Sequence, residues 1–171
     1  MIRRDPLAHP EQLIRRVYSY VAYAIGDGPD AEDVTSEAFE RALRYRKSYD
    51  PSKGSPATWL VGIARRCIAD RPRPTAGADP LDYERGEDVH EGRIEVLAVR
   101  AAVARLPERD RELVALRYGA DLTARQIAEL LDLQTNAVEV ALHRLHGKLR
   151  DELAGDFGPE ARKGFGPAAG I

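Results

Sequence analysis

The middle of the chain constrains the fold most, because residues 74–93 can contribute little to a hydrophobic core. This stretch carries two arginines against six carboxylates, a net charge of −4, together with prolines, glycines and few large apolar side chains. Proline and glycine interrupt regular structure, and such a composition is typical of a linker. We therefore expect two small domains, residues 1–73 and 94–153, joined by an acidic flexible linker. Residues 154–171 are expected to form a disordered tail.

Apolar residues in the first domain recur every three or four positions, which is the period of a helix. Asp30 is expected to cap the second of three helices, and Ser55 followed by Pro56 is expected to begin the third. Gly26 and Pro72 follow the predicted ends of the first and third helices. The predicted buried face of the first helix is Leu13, Ile14, Val17, Tyr18, Val21 and Ile25. That of the second helix is Val34, Ala38, Phe39, Ala42 and Leu43. That of the third helix is Trp59, Leu60, Ile63, Ala64, Cys67 and Ile68.

The second domain has the same helical period. We predict a helix over 94–106 and another from Pro107 to near Gly119. Thr123 and Gln126 have the spacing of a capping box, which predicts a third helix after Thr123. The fold class is therefore all-α. A last helix is predicted from about 135 to 153, with an inward face at Val138, Leu142, Leu145 and Leu149.

The last two predicted helices have the spacing of a helix-turn-helix, whose second helix enters the major groove of DNA. The domain that contains them has nine basic and ten acidic side chains, a net charge of −1. Since phosphate contacts supply most non-specific affinity, we expect this domain to bind DNA poorly alone. An ordinary helical hairpin has the same pattern. The candidate base-reading and phosphate-binding residues are Thr135, Asn136, Glu139, Val140, His143, Arg144 and Lys148.

The loop before the third helix, together with that helix, forms a second candidate site. Arg65 lies almost opposite the apolar stripe at 100° per residue, with Thr58 beside it and Arg66 on the flank. Basic groups beside a polar loop are suited to single-stranded DNA, whose bases stack on aromatic rings and whose phosphates bind arginine. Alternatively, these arginines form a solvated face, and Trp59 belongs to the core.

The second predicted helix carries a third candidate surface, because its charged residues share one side. Asp30, Asp33, Glu37 and Arg41 are its main members. Carboxylates near a helix N-terminus are favoured by the helix dipole, so the residues alone indicate only an exposed charged face.

Taken in order, five segments of the chain resemble the extracytoplasmic-function sigma factors, the smallest members of the sigma-70 family of bacterial RNA polymerase subunits. Segment 30–43 resembles the family's polymerase-docking helix, and segment 59–71 resembles its promoter-melting helix. Segment 106–118 is similar to the start of its C-terminal domain. Segments 127–131 and 137–144 are similar to its helix-turn-helix.

The resemblance implies partners and roles. The clamp of core RNA polymerase would be contacted by Asp30, Asp33, Glu37 and Arg41. The flap region of core RNA polymerase is the second expected contact region. The acidic linker would occupy the channel that later holds RNA, and an anti-sigma factor is an expected further partner. The helix-turn-helix residues given above would read the minus-thirty-five element of promoter DNA. The minus-ten element would be opened and held by Lys53, Ser55, Thr58, Arg65 and Arg66.

Four positions depart from the family pattern, and one of them is Pro72, which shortens the third helix. Arg66 stands where asparagine is usual, Gln134 where a capping serine is usual, and Glu139 where lysine or arginine is common. A glutamate in the major groove either accepts a hydrogen bond from cytosine or weakens the approach to phosphate. These departures leave the class intact and bear on promoter sequence and affinity.

Composition excludes several other classes of protein. The net charge of −2 over 171 residues excludes a uniformly basic coat. Cys67 is the only cysteine, so an internal disulfide is impossible, and we expect no metal site or cofactor. We expect no catalysis, no membrane span and no secretory signal, hence a cytoplasmic protein. The alternatives left open are an autonomous helix-turn-helix regulator, which would bind duplex DNA as a dimer, and a sigma-like polymerase adaptor that reads no promoter.

Overall fold

The computed structural model describes residues 5–72, the first half, and residues 91–157, the second half. The predicted linker lies almost entirely outside these ranges, as do residues 158–171. In the first half, α1 spans Pro10–Ile25, α2 spans Pro29–Tyr45 and α3 spans Pro56–Asp70. In the second half, α4 spans Glu91–Ala104, α5 Glu108–Val114, α6 Ala124–Leu131 and α7 Thr135–Phe157. A 3₁₀ turn, Arg46–Ser48, follows α2, and a π turn, Ala115–Gly119, follows α5.

Neither described half contains a strand, which confirms the all-α prediction. No helix within those halves is long and apolar enough to cross a membrane.

Of the side-chain caps predicted for the helix N-termini, those of α3 and α6 are present and that of α2 is not. Ser55 caps α3, since its Oγ accepts a hydrogen bond from Thr58 N at 3.2 Å. The predicted capping box at α6 is confirmed, because Thr123 and Gln126 satisfy each other's backbone N–H groups. Asp30 does not cap α2, so that prediction is wrong. The helix begins one residue earlier, at Pro29, a residue suited to the first helical position.

Two further boundaries differ from the prediction. Helix α4 begins at Glu91, three residues before the predicted start. Helix α7 continues to Phe157, so the tail does not begin at 154. Gly155 weakens a helix interior without blocking it, whereas the residue before Pro159 is disfavoured in helical conformation.

One continuous hydrophobic core joins the two halves. It includes Leu60 and Val61 of α3 and also Leu116 and Leu122 of the second half, all fully buried. The halves therefore pack against each other through side chains that lie far apart in the sequence.

The buried face of α1 is rotated from the predicted one. Ile14 and Ile25 are exposed, although both were expected inside, whereas Tyr20 is only 1% exposed. The reason is tertiary, because the π turn of the second half lies against Tyr20. Leu43 of α2 was also predicted to be buried and is 55% exposed. The inward face of α2 is instead narrow and includes Ala31 and Thr35.

Candidate nucleic-acid and protein interfaces

Helix α7 presents an open face at its N-terminal end. Val138, Leu145 and Leu149 hold its opposite side in the core, as the helical period predicted. The αL conformation of Asp132, at φ 55°, ends α6 and makes the short connection to α7. All seven residues proposed for duplex recognition are exposed, namely Thr135, Asn136, Glu139, Val140, His143, Arg144 and Lys148.

This face carries few groups that would attract phosphate at its start. Glu139 is exposed and follows Asn136 by less than one turn, while Lys148 lies more than two turns further on. Lys148 Nζ is 3.5 Å from Asp110 Oδ2 of α5, which partly neutralises its charge. The positive charges among these seven residues, Arg144 and Lys148, therefore lie beyond the start of the face.

A cleft of about 290 Å³ lies between the loop at residues 48–54 and α3. Tyr49 holds the loop, since its hydroxyl donates to Gly54 O at 2.9 Å and its ring lies 5.4 Å from that of Trp59. Trp59 is half-buried and lines the cleft, so it is neither a simple core residue nor a free stacking platform.

The structure brings together only part of the predicted minus-ten group. Lys53 and Arg66 are exposed and line the cleft. Thr58 also lines it, but it is 7% exposed, so the expectation that it shares the outer face with Arg65 is wrong. Thr58 turns inward because its N–H and hydroxyl both meet Ser55, whose side chain is committed to the cap.

Arg65 lies away from the cleft and faces the second half. Its Nε donates to Glu112 Oε1 of α5 at 2.5 Å. This hydrogen bond to a carboxylate raises the pKa of Arg65, so the guanidinium stays charged. Arg109 and Leu131 line the shallow space around the pair. Arg65 is exposed as the helical period predicted, but it is paired across the two halves.

The charged face of α2 is tied to the end of α3. Arg41 donates to Glu37 at 2.6 Å and to Asp70 at 2.7 Å. Arg71 donates to Asp30 at 2.7 Å. These contacts raise the pKa of Arg41, the Asp70 hydrogen bond most strongly. Asp33 is exposed on this surface, which therefore remains acidic toward solvent.

Several residues that matter here are missing from the sequence-based prediction. Arg16 of α1 donates to Ala120 O from Nε and to Asp121 O from Nη2, both at 2.7 Å. Arg100 of α4 pairs with Asp27, which follows α1. These partners lie more than 70 positions apart, and no local pattern connects them.

Comparisons with known proteins give the same two regions. The Sigma-70 region 2 family matches residues 11–75, and the Sigma-70 region 4 family matches residues 97–146. The ECF RNA polymerase sigma factor BldN of Streptomyces coelicolor is 32% identical over 144 residues, which cover 78% of this chain and 54% of BldN. The ECF RNA polymerase sigma factor RpoE of Cereibacter sphaeroides is 30% identical over 131 residues, covering 72% of this chain and 70% of RpoE.

A solved structure shares the fold. The structure of CnrH in complex with the cytosolic domain of CnrY matches with a TM-score of 0.60 at 23% identity. The match covers 86% of this chain and 84% of that one. This likeness concerns the arrangement of helices across both halves.

Proposed function

The chain belongs to the extracytoplasmic-function sigma factors of the sigma-70 family, and we propose that it binds core RNA polymerase and directs it to promoters with two separated elements. The observation that carries this proposal is the order of its parts. A region 2 match precedes a region 4 match in one chain, and an acidic stretch lies between them. A dimeric regulator has no need of region 2.

We propose that α2 docks on the clamp of polymerase. Its acidic surface, with Asp33 exposed and Asp30 and Glu37 paired with arginines, is suited to a basic partner. Arg41 acts here mainly as a positioning residue, because both of its hydrogen bonds fix carboxylates of the same surface or of α3.

We propose that the cleft beside the 48–54 loop receives the opened minus-ten element. Lys53 and Arg66 supply positive charge at its rim, and Trp59, against which the Tyr49 ring packs, supplies aromatic surface. Unpaired bases stack on such rings while arginine and lysine bind the phosphates. Arg65 would join this site only after releasing Glu112.

We propose that α7 reads the minus-thirty-five element as duplex. Asn136 is the residue best suited to a base edge, since an amide can bind adenine in the major groove with two hydrogen bonds. The net charge of −1 over residues 94–153 predicts that polymerase must hold this half near DNA.

Further roles follow from this placement. Polymerase supplies the catalysis, and the chain acts as an initiation factor in the cytoplasm, where polymerase and promoters are found. The linker at 74–93 is proposed to mimic nucleic-acid charge in a polymerase channel. An anti-sigma protein is a proposed partner, supported by the CnrH structure with its bound CnrY domain.

Size-exclusion chromatography with core polymerase tests the proposal. We expect the chain to co-elute with core polymerase as a monomer and to bind duplex DNA weakly alone. Tight binding of DNA by a free dimer, with no co-elution, would identify an autonomous regulator. Co-elution without promoter-specific initiation would identify an adaptor.

A further inference from the structure

Helix α7 has one line of residues that points directly away from the core. Its buried side is formed by Val138, Leu145 and Leu149. At about 100° per residue, Asn136 and Val140 lie within about 20° of the direction opposite to that side. We call this line the outward strip, and it consists of Asn136, Val140, His143 and Gly147.

The outward strip is open to a partner. Asn136 and His143 are both exposed. A Cβ atom added at Gly147 would have no neighbour within 4 Å. The described part of the chain therefore leaves room for another molecule beside this side of α7.

Val140 is the one large apolar side chain of the outward strip. It is 41% exposed, whereas Leu142 of the same helix packs against the core. A β-branched valine is also a weaker helix former than alanine, because its side chain loses rotational freedom against the preceding turn. Neither burial nor helix propensity therefore favours valine at position 140.

The spacing along the strip matches that of neighbouring base pairs. Asn136 and Val140 are four residues apart, which is about 6 Å along the helix axis. Two base-pair steps of duplex DNA span about 6.8 Å. When the N-terminal end of α7 lies in the major groove, these two side chains reach base pairs that are at most about two steps apart.

The chemistry of the two side chains distinguishes the bases that they fit. An asparagine amide binds adenine with two hydrogen bonds, whereas an apolar side chain contacts the C5 methyl group of thymine. Thymine is the one base that presents a methyl group in the major groove. Valine against a polar base edge would displace water from that edge and return no hydrogen bond.

We propose that Val140 selects a thymine in the minus-thirty-five element by contact with its C5 methyl group, within about two base pairs of an adenine that Asn136 binds. The inference rests on the proposed function of α7 as the reader of duplex DNA. Burial of one methyl group corresponds to about a fourfold change in affinity. Val140 is thus a specificity-determining residue whose contribution disappears when either partner loses its methyl groups.

Deoxyuridine tests the proposal, because it lacks only the C5 methyl group of thymine and pairs with adenine in the same way. The complex of the chain with core polymerase would be titrated with duplex fragments of the promoter that it transcribes best. Each thymine of the minus-thirty-five element would be replaced in turn. We expect one replacement to weaken binding about fourfold.

Val140→Ala should weaken binding to the unmodified promoter by a similar factor and abolish the response to that one replacement. The variant should fold, because position 140 is exposed and alanine is the best helix former. Val140→Ile is the conservative variant and should keep the response, because it retains an aliphatic side chain. Ile14→Ala is the matched control, since Ile14 is 47% exposed on α1 of the first half, and it should also keep the response.

The outcomes separate this inference from the proposed function. If the losses from Val140→Ala and from every deoxyuridine multiply independently, Val140 does not contact a thymine methyl group and the inference is overturned. A methyl-dependent thymine more than about two base pairs from the base pair whose recognition Asn136→Ala relaxes would also overturn it. Promoter-specific binding that does not respond to Val140→Ala would overturn this inference alone. A chain that directs polymerase to no promoter would overturn the proposed function and this inference with it.

Discussion

The ion pair between Arg65 and Glu112 is a direct probe of how the halves meet, and its strength follows from its geometry. Nε and Oε1 lie 2.5 Å apart, and the two side chains are 44% and 27% exposed. Two charges about 4 Å apart attract by about 1 kcal/mol in water and about 4 kcal/mol at an effective dielectric of 20. Exposed pairs retain about 0.2–1 kcal/mol, because solvent screens them and side-chain entropy opposes them. We expect a coupling free energy of about 0.5–1 kcal/mol.

A double-mutant cycle measures this coupling. Arg65→Gln, Glu112→Gln and the double variant would be unfolded in urea, and the free energies of unfolding compared. The coupling should shrink in high salt, because the pair is partly exposed. Arg125 and Glu129 provide the control, since they pair at 3.0 Å within α6 and need no contact between halves. Coupling of zero for Arg65 and Glu112, with a measurable value for the control pair, would refute the packing of the two halves.

Three further predictions concern single residues. Asp33→Lys should leave the circular dichroism spectrum unchanged and the free energy of unfolding within about 1 kcal/mol, because Asp33 is exposed. The affinity for polymerase, measured by fluorescence anisotropy, should fall about tenfold. An unaltered affinity would show that docking uses another surface. Glu139→Gln should tighten promoter binding on every sequence, because it removes repulsion from phosphate. A loss of about 1–3 kcal/mol of binding free energy that depends on a single base pair would instead show that Glu139 reads cytosine. Thr123→Ala should lower the free energy of unfolding by about 1 kcal/mol, because it removes the capping box of α6, and an unchanged urea midpoint would contradict that role.

Features that depend on neighbouring residues could be predicted from the sequence. Ser55 caps α3, and Thr123 with Gln126 caps α6, because each cap needs only residues within one turn. The inward positions Val138 and Leu149 of α7 follow from the 3.6-residue period in the same way. The order of the helices and the helix-turn-helix were predictable for this reason.

Features that depend on distant contacts could not be predicted. Ile14 and Tyr20 are both apolar enough to face inward, and only the packing of the second half against α1 selects Tyr20. Arg65 was correctly placed outside the core of α3, but its partner Glu112 lies 47 positions away. Thr58 fits the outer face by angle, yet its hydrogen bonds to Ser55 turn it inward.

Promoter-specific initiation is the most direct test of the central claim that this chain is a sigma factor with two DNA-reading surfaces. Run-off transcription would be performed with core polymerase, the purified chain and a library of genomic promoter fragments. The account predicts transcripts that depend on the chain, that start at a defined distance from a shared pair of promoter elements, and that become weaker with Asp33→Lys. Transcripts from every fragment regardless of sequence, or none above core polymerase alone, would contradict it.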